Sequence, residues 1–555
     1  MHHVIQRSIF TALFCLEFQA FLFGQKDGVA IEVPETIFYI RQINFDIKGQ
    51  TRTFALLFNG ELKEGDEIAG SNNLQAYIEE RTQLLINQRS LADVSIDHVI
   101  GEPDPDGRVP VDLLLHIVDT WNIIVLPRPQ YDSNSGLDIS IKARDYNFLG
   151  TMSPLRIDLG YQYNNQDKSK PTYEKHSFNL LIDSDIPFKA FNLRWNLNLD
   201  NELAFTQDEP LMYKNITGIS LDLPWKTTTF TFGFEQGFIL NELNSEENRE
   251  KYNLDSDSDY MYSKLYAHWS IPTALTFPVL GTLTYTPGLE GVVNYRIGGI
   301  DEMRRGPNLA FTHSLGLGRV DWVKDENFRK GVSFSISNSY AYNFKYLYRV
   351  TPELTLDDPE PVPRTEVLPE LEPYLGRQGW SSSLSFTASA YLYVSDFFGI
   401  SGRFRYQQWF FNDAHTTQAG DVLRGIIDRH ISADTIFSLN LDFPFRLIRF
   451  TPSEWSSKEK LWILPVKTFD LEMHVSPVLD IAVAKDSTDT GADNKTGHDF
   501  QWYVTGGMEI IVFPLSWRSF YLRMSAGFNL RNIIETKTLS KWYGDELFIG
   551  IGHFY

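Results

Sequence analysis

Asp545-Glu546-Leu547-Phe548-Ile549-Gly550-Ile551-Gly552-His553-Phe554-Tyr555 alternates apolar residues with small or polar ones and stops on an aromatic pair. A strand has period two, so this stretch has one apolar face and one small or polar face. The closing strand of a transmembrane β-barrel reads this way: one face meets lipid, the other the lumen, and aromatics sit at an interface. Any half-buried strand alternates, so the stretch gains its weight from the many similar segments before it.

The N-terminal residues agree. Ile9 to Phe23 is an apolar run behind Arg7, broken by Glu17, with Gly24 as a small residue before Gln25. We read residues 1–24 as a secretory signal peptide and 25–37 as a linker. The single cysteine, Cys15, falls inside it, so the chain beyond would carry no disulfide and no thiol chemistry. No later stretch is apolar for the eighteen or so residues a helical span requires. Yet aromatics make up 14% of the chain at a mean hydropathy of −0.24. A barrel hides its membrane character in this way, because each strand gives only half its residues to lipid. The net charge of −21 argues against a nucleic-acid partner and fits acidic, solvated loops.

Two regions differ in period. Residues 38–118 read as a compact α/β unit of order β-α-α-β-β. Phe38 to Lys48 is a strand, and Phe54 to Leu62 a short helix. Ser71 caps a longer helix with a stripe of Leu74, Ile78, Leu84 and Leu85. Strands over Val94–Gly101 and Val109–Val118 follow, the second with Val109, Val111, Leu113 and Leu115 on one side. From residue 119 the period is two. Leu155, Ile157, Leu159, Tyr161 and Tyr163 oppose Arg156, Asp158, Gly160, Gln162 and Asn164. The same alternation runs from Val332 to Phe344 and from Ser383 to Leu392. Polar connections such as 241–259 and 352–379 are too charged to be buried. The expected fold is mainly β: an antiparallel transmembrane barrel over 119–555 behind one small α/β domain. Alternation alone suggests about eighteen strands, the doubtful pair lying between Tyr260 and Ile297, where Pro272, Pro278 and Pro287 interrupt it.

At this point the chain resembles the BamA/TamA-type outer-membrane barrels that carry periplasmic POTRA domains (the bacterial surface antigen superfamily), as a member with one POTRA unit. Residues 38–118 match that unit, Asn147-Phe148-Leu149-Gly150-Thr151 resembles the turn after the second barrel strand, and the resemblance implies a 16-stranded barrel, two strands fewer than alternation suggests. Leu423-Arg424-Gly425-Ile426 sits where the family has its Val-Arg-Gly-aromatic motif, in an inserted sixth loop over about 412–434. Five strands follow it, near 436–445, 468–484, 501–513, 517–530 and 546–555. The resemblance makes Arg424 and Gly425 the loop tip, with Asp442 and Asp480 as the lumenal carboxylates that hold the arginine. A guanidinium pushed into a partly desolvated lumen needs bidentate carboxylates to meet it. Leu for Val and Ile for the aromatic would weaken hydrophobic wedging of the tip rather than the ionic contact.

The first barrel strand, about Trp121 to Asp132, carries Pro127 and Pro129. Residues two apart point their N–H groups to one side, and proline has none. Either the two mark a weak seam against the closing strand with Phe554 and Tyr555, or they mark the linker before the barrel. No Gly-x-Ser-x-Gly elbow, His-Glu-x-x-His or phosphate loop occurs, so no enzyme, cofactor or metal site is expected. The resemblance implies a bacterial outer-membrane protein, its POTRA in the periplasm, that assists insertion, assembly or translocation of client proteins. Its partners would be membrane lipids, unfolded barrel or secreted clients, and periplasmic assembly factors. A passive porin and a surface adhesin are the alternatives.

Overall fold

The computed structural model describes residues 36–551 except 133–135, 165–174, 208–210, 242–259, 278–279, 297–298, 301–307, 324–325, 344–348, 354–361, 367–379, 411–416, 419–422, 426–431, 457–459, 462–463, 487–499, 520 and 537–545. The signal-peptide reading, most of the linker, Ile426, Phe554 and Tyr555 therefore lie outside the described residues.

The first unit is a four-stranded sheet under two helices. Its elements are β1 (Ile37–Lys48), α1 (Thr53–Asn59), β2 (Glu67–Ala69), α2 (Ser71–Asn87), β3 (Leu91–Ile100) and β4 (Val109–Asp119), in the sheet order β2-β1-β4-β3. Val109, Val111, Leu113 and Leu115 are all buried and pack with Leu74, Ile78 and Leu85 of α2, while Leu84, expected in the same stripe, lies outside the core and Ile86 packs against it instead. Two further details differ. The helix begins on Ser71 itself, and Gly70, at φ 86°, holds the cap position expected of Ser71. The three-residue β2, too short to register as a pattern, pairs antiparallel with Ile37–Tyr39.

The rest is a ring of antiparallel strands: β5 (Ile123–Asp132), β6 (Gly136–Asp145), β7 (Leu155–Asn164), β8 (Lys175–Ala190), β9 (Leu193–Thr206), β10 (Met212–Trp225), β11 (Thr228–Leu240), β12 (Tyr260–Phe277), β13 (Gly281–Arg296), β14 (Asn308–Trp322), β15 (Arg329–Asn343), β16 (Trp380–Ser395), β17 (Phe398–Phe410), β18 (Ser432–Asp442) with its continuation β19 (Phe445–Phe450), β20 (Leu471–Asp486), β21 (Phe500–Pro514), β22 (Leu522–Asn529) and β23 (Glu546–Ile551). The strand order returns on itself, β23 lying beside β5.

With β18 and β19 as one bent strand, the ring has eighteen positions among the described residues, where sixteen were expected. The doubtful hairpin is real. Pro272 falls at a register irregularity of the β12–β13 ladder, where a missing N–H costs little. The extra hairpin makes the Leu423–Gly425 segment part of the seventh far-end connection rather than the sixth, counting the end with the α/β unit as near. Five strands follow it, as counted from the sequence.

The ring is turned inside out relative to a soluble protein. Ile139, Ile141, Leu159, Phe178, Phe205, Phe232, Phe234, Leu265 and Leu289 are exposed on its outer face. The inner rows carry cross-strand ion pairs, among them Arg144 with Asp158, Arg156–Asp183 at 3.1 Å, Lys214–Asp200 at 3.4 Å and Lys264–Glu290 at 3.3 Å. Paired aromatics cluster on the outside near the domain end, including Phe188 with Trp195 and Phe230 with Trp269. No helix is long and apolar enough to cross a membrane, which says nothing about crossing by strands.

Candidate functional site

The structure brings Arg424, Asp442 and Asp480 together. Arg424 is almost wholly buried, and its side chain reaches three strands. Nε and Nη2 donate to the two oxygens of Asp480 at 2.9 and 2.5 Å, and the Arg424 backbone N–H donates to the same carboxylate at 2.8 Å. Nη1 donates to Asp442 at 2.6 Å and to Glu509 at 3.3 Å. This is a bidentate grip on β20 with further bonds to β18 and β21, a geometry a lysine could not reproduce. Glu509 and Arg523, which approach to 3.7 Å, complete the cluster and escaped the sequence reading. Each is a lone charge within its own strand. Alternation turns both inward, and the register sets the Glu509↔Ser525 pair next to Gly507↔Gly527 on that face.

Leu423, expected to wedge weakly, is fully buried against Ala433, Ile436, Ala482, Ala484 and Tyr503. Gly425 has φ 86°, a backbone region that favours glycine, so it is the turn residue that lets Arg424 face the wall.

Pro127 and Pro129 lie inside β5, opposite Ile141 and Ile139 of β6. The Tyr146 N–H donates to the Asn122 carbonyl at 3.0 Å, so Asn122 and Tyr146 form a hydrogen-bonded pair of this antiparallel ladder. Such pairs alternate with non-bonded ones, and the β5–β6 register runs without a shift. The even residues of β5 therefore bond to β6. Ile123, Val125, Pro127 and Pro129 turn their backbone to the opposite edge, where β23 lies. The Ile123 carbonyl on that edge already accepts from the Trp121 indole. Both prolines thus withhold donors from the β5–β23 side.

A second open edge lies in the α/β unit. Ile40 exchanges backbone bonds with Gly65 and Asp66, and the Ile43 N–H donates to the Glu64 carboxylate at 3.2 Å, both away from β4. By alternation Phe45 and Ile47 turn their N–H groups to the same side, beyond the reach of β2, which pairs only as far as Tyr39. That edge borders a cavity of about 820 Å³ walled by Phe45, Leu57 and Phe58 on one side and by Phe188, Leu193 and Arg194 on the other.

The α/β unit also spans the near mouth of the ring. Asp119 receives Thr51 at 2.6 Å and Asn147 at 3.2 Å, joining it to the β6–β7 turn. The Arg194 guanidinium covers the Phe58 ring at the β8–β9 turn. Asn87 donates to Asp321 at 2.8 Å before the β14–β15 turn. Arg89, half-buried and stacked over Trp322 at 4.1 Å, donates to the Arg518 carbonyl in the β21–β22 turn. Burial pulls the Arg89 guanidinium down to about 10.

Among the described residues no group of acidic, histidine or cysteine side chains could hold a metal ion. No family model matches the chain, and no curated protein does. Solved structures do match. BamA from Haemophilus ducreyi lacking POTRA domains 1–3 is 12% identical over 93% of this chain and 83% of its own, at a TM-score of 0.34. CdiB from Acinetobacter baumannii is 11% identical over 88% and 70%, at 0.39. A copper transporter, OprC, is 8% identical over 90% and 76%, at 0.30. With TM-scores this low, none of these likenesses assigns a family or a role.

Proposed function

We propose that this chain is a bacterial outer-membrane barrel that assists the insertion, assembly or translocation of client proteins, with its α/β unit in the periplasm. The exposed apolar outer face and the ion-paired inner face support a bilayer around the ring, since lipid is the solvent that favours this inversion. Its partners are then outer-membrane lipids and extended client segments, with periplasmic assembly factors as further candidates. The chain acts by pairing and releasing strands, not as an enzyme.

The observation that carries the proposal is the edge of β5. A ladder deprived of donors at Pro127 and Pro129 is the easiest line of the ring for a foreign strand to enter, and an extended segment is recognised through the main-chain bonds such an edge leaves over. The open edge of β1 above its apolar cavity offers a first place of capture, with room for alternate side chains. The porin alternative is disfavoured by the α/β unit, which leans on turns all round the near mouth.

The test is client folding in liposomes, using a small unfolded barrel protein. The wild type accelerates folding, and Pro127→Val with Pro129→Val, which restores both donors, slows it. Folding no faster with the protein than without it, together with ion conductance, would overturn the proposal in favour of a porin. Equal acceleration by the proline variant would exclude the seam.

A further inference from the structure

Gly507 of β21 and Gly527 of β22 stand directly opposite each other in the ladder, on the inner face, one step from the Glu509↔Ser525 pair that serves the arginine cluster. Two facing glycines leave a patch of wall with no side chains. The loop tip lies on Gly527 backbone to backbone. A Cβ on Gly527 would come within 2.5 Å of the Gly425 nitrogen and 2.7 Å of the Arg424 carbonyl carbon. Reciprocally, a Cβ on Gly425 would come within 2.5 Å of the Gly527 carbonyl carbon and the Phe528 nitrogen. Contacts that short are repulsive, and backbone on both sides cannot swing away as a side-chain end could.

We infer that Gly527 is a positioning residue for Arg424: its missing side chain lets the tip descend until the guanidinium reaches Asp480, Asp442 and Glu509. Coulomb attraction alone does not fix that depth. Long-range attraction among four charges is tolerant of an ångström, whereas the bidentate bonds to Asp480 are not. The glycine seat supplies the hard stop. The seat also adds β22 to the strands that the arginine already links, so the tip rests on the strand that carries β23. The inference concerns how the loop is held and stands whether or not the chain handles clients.

The experiment places a cysteine at Leu423, which is fully buried, and measures maleimide labelling of the full-length barrel in lipid. Gly527→Ala should raise labelling at least about tenfold, toward the level of Arg424→Ala, while heat-modifiable electrophoretic mobility shows the barrel still closed. Gly316→Ala, at a strand glycine with open space around it, should leave labelling unchanged. Gly425→Ala repeats the steric clash from the loop side, so a folding failure of Gly527→Ala leaves the test intact. Combining Gly527→Ala with Arg424→Ala should add nothing to Arg424→Ala alone, because both release the same contact. Protection of the cysteine in either folded glycine variant, or labelling additive with that of Arg424→Ala, would overturn the inference.

Discussion

Replacing Asp480 by asparagine should loosen the inserted loop far more than the same change at Asp442. Asp480 is almost fully buried and accepts three bonds from Arg424, two of them from the guanidinium. Asparagine keeps the shape and one acceptor but sets an NH₂ group against an arginine, leaving a buried charge short of its main partner. Breaking one side of a buried ion pair costs about 3–5 kcal/mol. Asp442 accepts one bond from the guanidinium and is 14% exposed at its side chain, so its loss should cost about 1–2 kcal/mol. The difference, about 2–3 kcal/mol, corresponds to roughly 30- to 150-fold in the equilibrium between seated and released loop. Hydrogen exchange at the Arg424 amide reads that equilibrium, since this N–H is protected only while it donates to residue 480. Asp480→Asn should exchange at least about tenfold faster than Asp442→Asn. Equal rates, or the reverse order, would refute a cluster centred on Asp480.

Arg89→Ala should detach the α/β unit from the rim, removing the stack on Trp322 and the bonds to Arg518 and Asn327 at a cost of about 2–4 kcal/mol. Single-channel conductance in planar bilayers should rise, and an unchanged conductance would count against the rim contact. Burial pushes the Tyr77 phenol up to about 12, with Asp66 beside it. The neutral phenol is thus favoured in the fold, so its contribution is intact below about pH 10 and fades as pH rises from there toward 12. Tyr77→Phe should flatten the alkaline loss of thermal stability of the α/β unit; an equally steep loss would refute the assignment.

The faces of the strands were legible because period two survives without any knowledge of neighbours: Leu155 to Tyr163 needed only alternation. So was the order of the α/β unit apart from the three-residue β2 between its helices, and the resemblance set Arg424 against Asp442 and Asp480, where the structure places it. What failed depended on register, which alternation does not encode. Glu509 and Gly527 matter only because β21 and β22 align them with the loop tip. The β12–β13 hairpin was discounted because Pro272 and Pro287 weaken its pattern, although one of them sits where the ladder is already irregular. The direction of the proline edge in β5 came from one bond, Tyr146 to Asn122, invisible in the sequence.

The two sides of the β5–β23 line are anchored very differently. β5 continues from β4 through Asp119 and Thr120, which tie into the β6–β7 and β21–β22 turns, so it stands like a door jamb fixed to the brace across the mouth. On its other side β23 pairs with β22, through the six register pairs from Leu522↔Ile551 to Gly527↔Glu546. Any parting along this line therefore swings β23 and leaves β5 where it is. The hinge of that leaf passes through Gly527, beneath the loop tip.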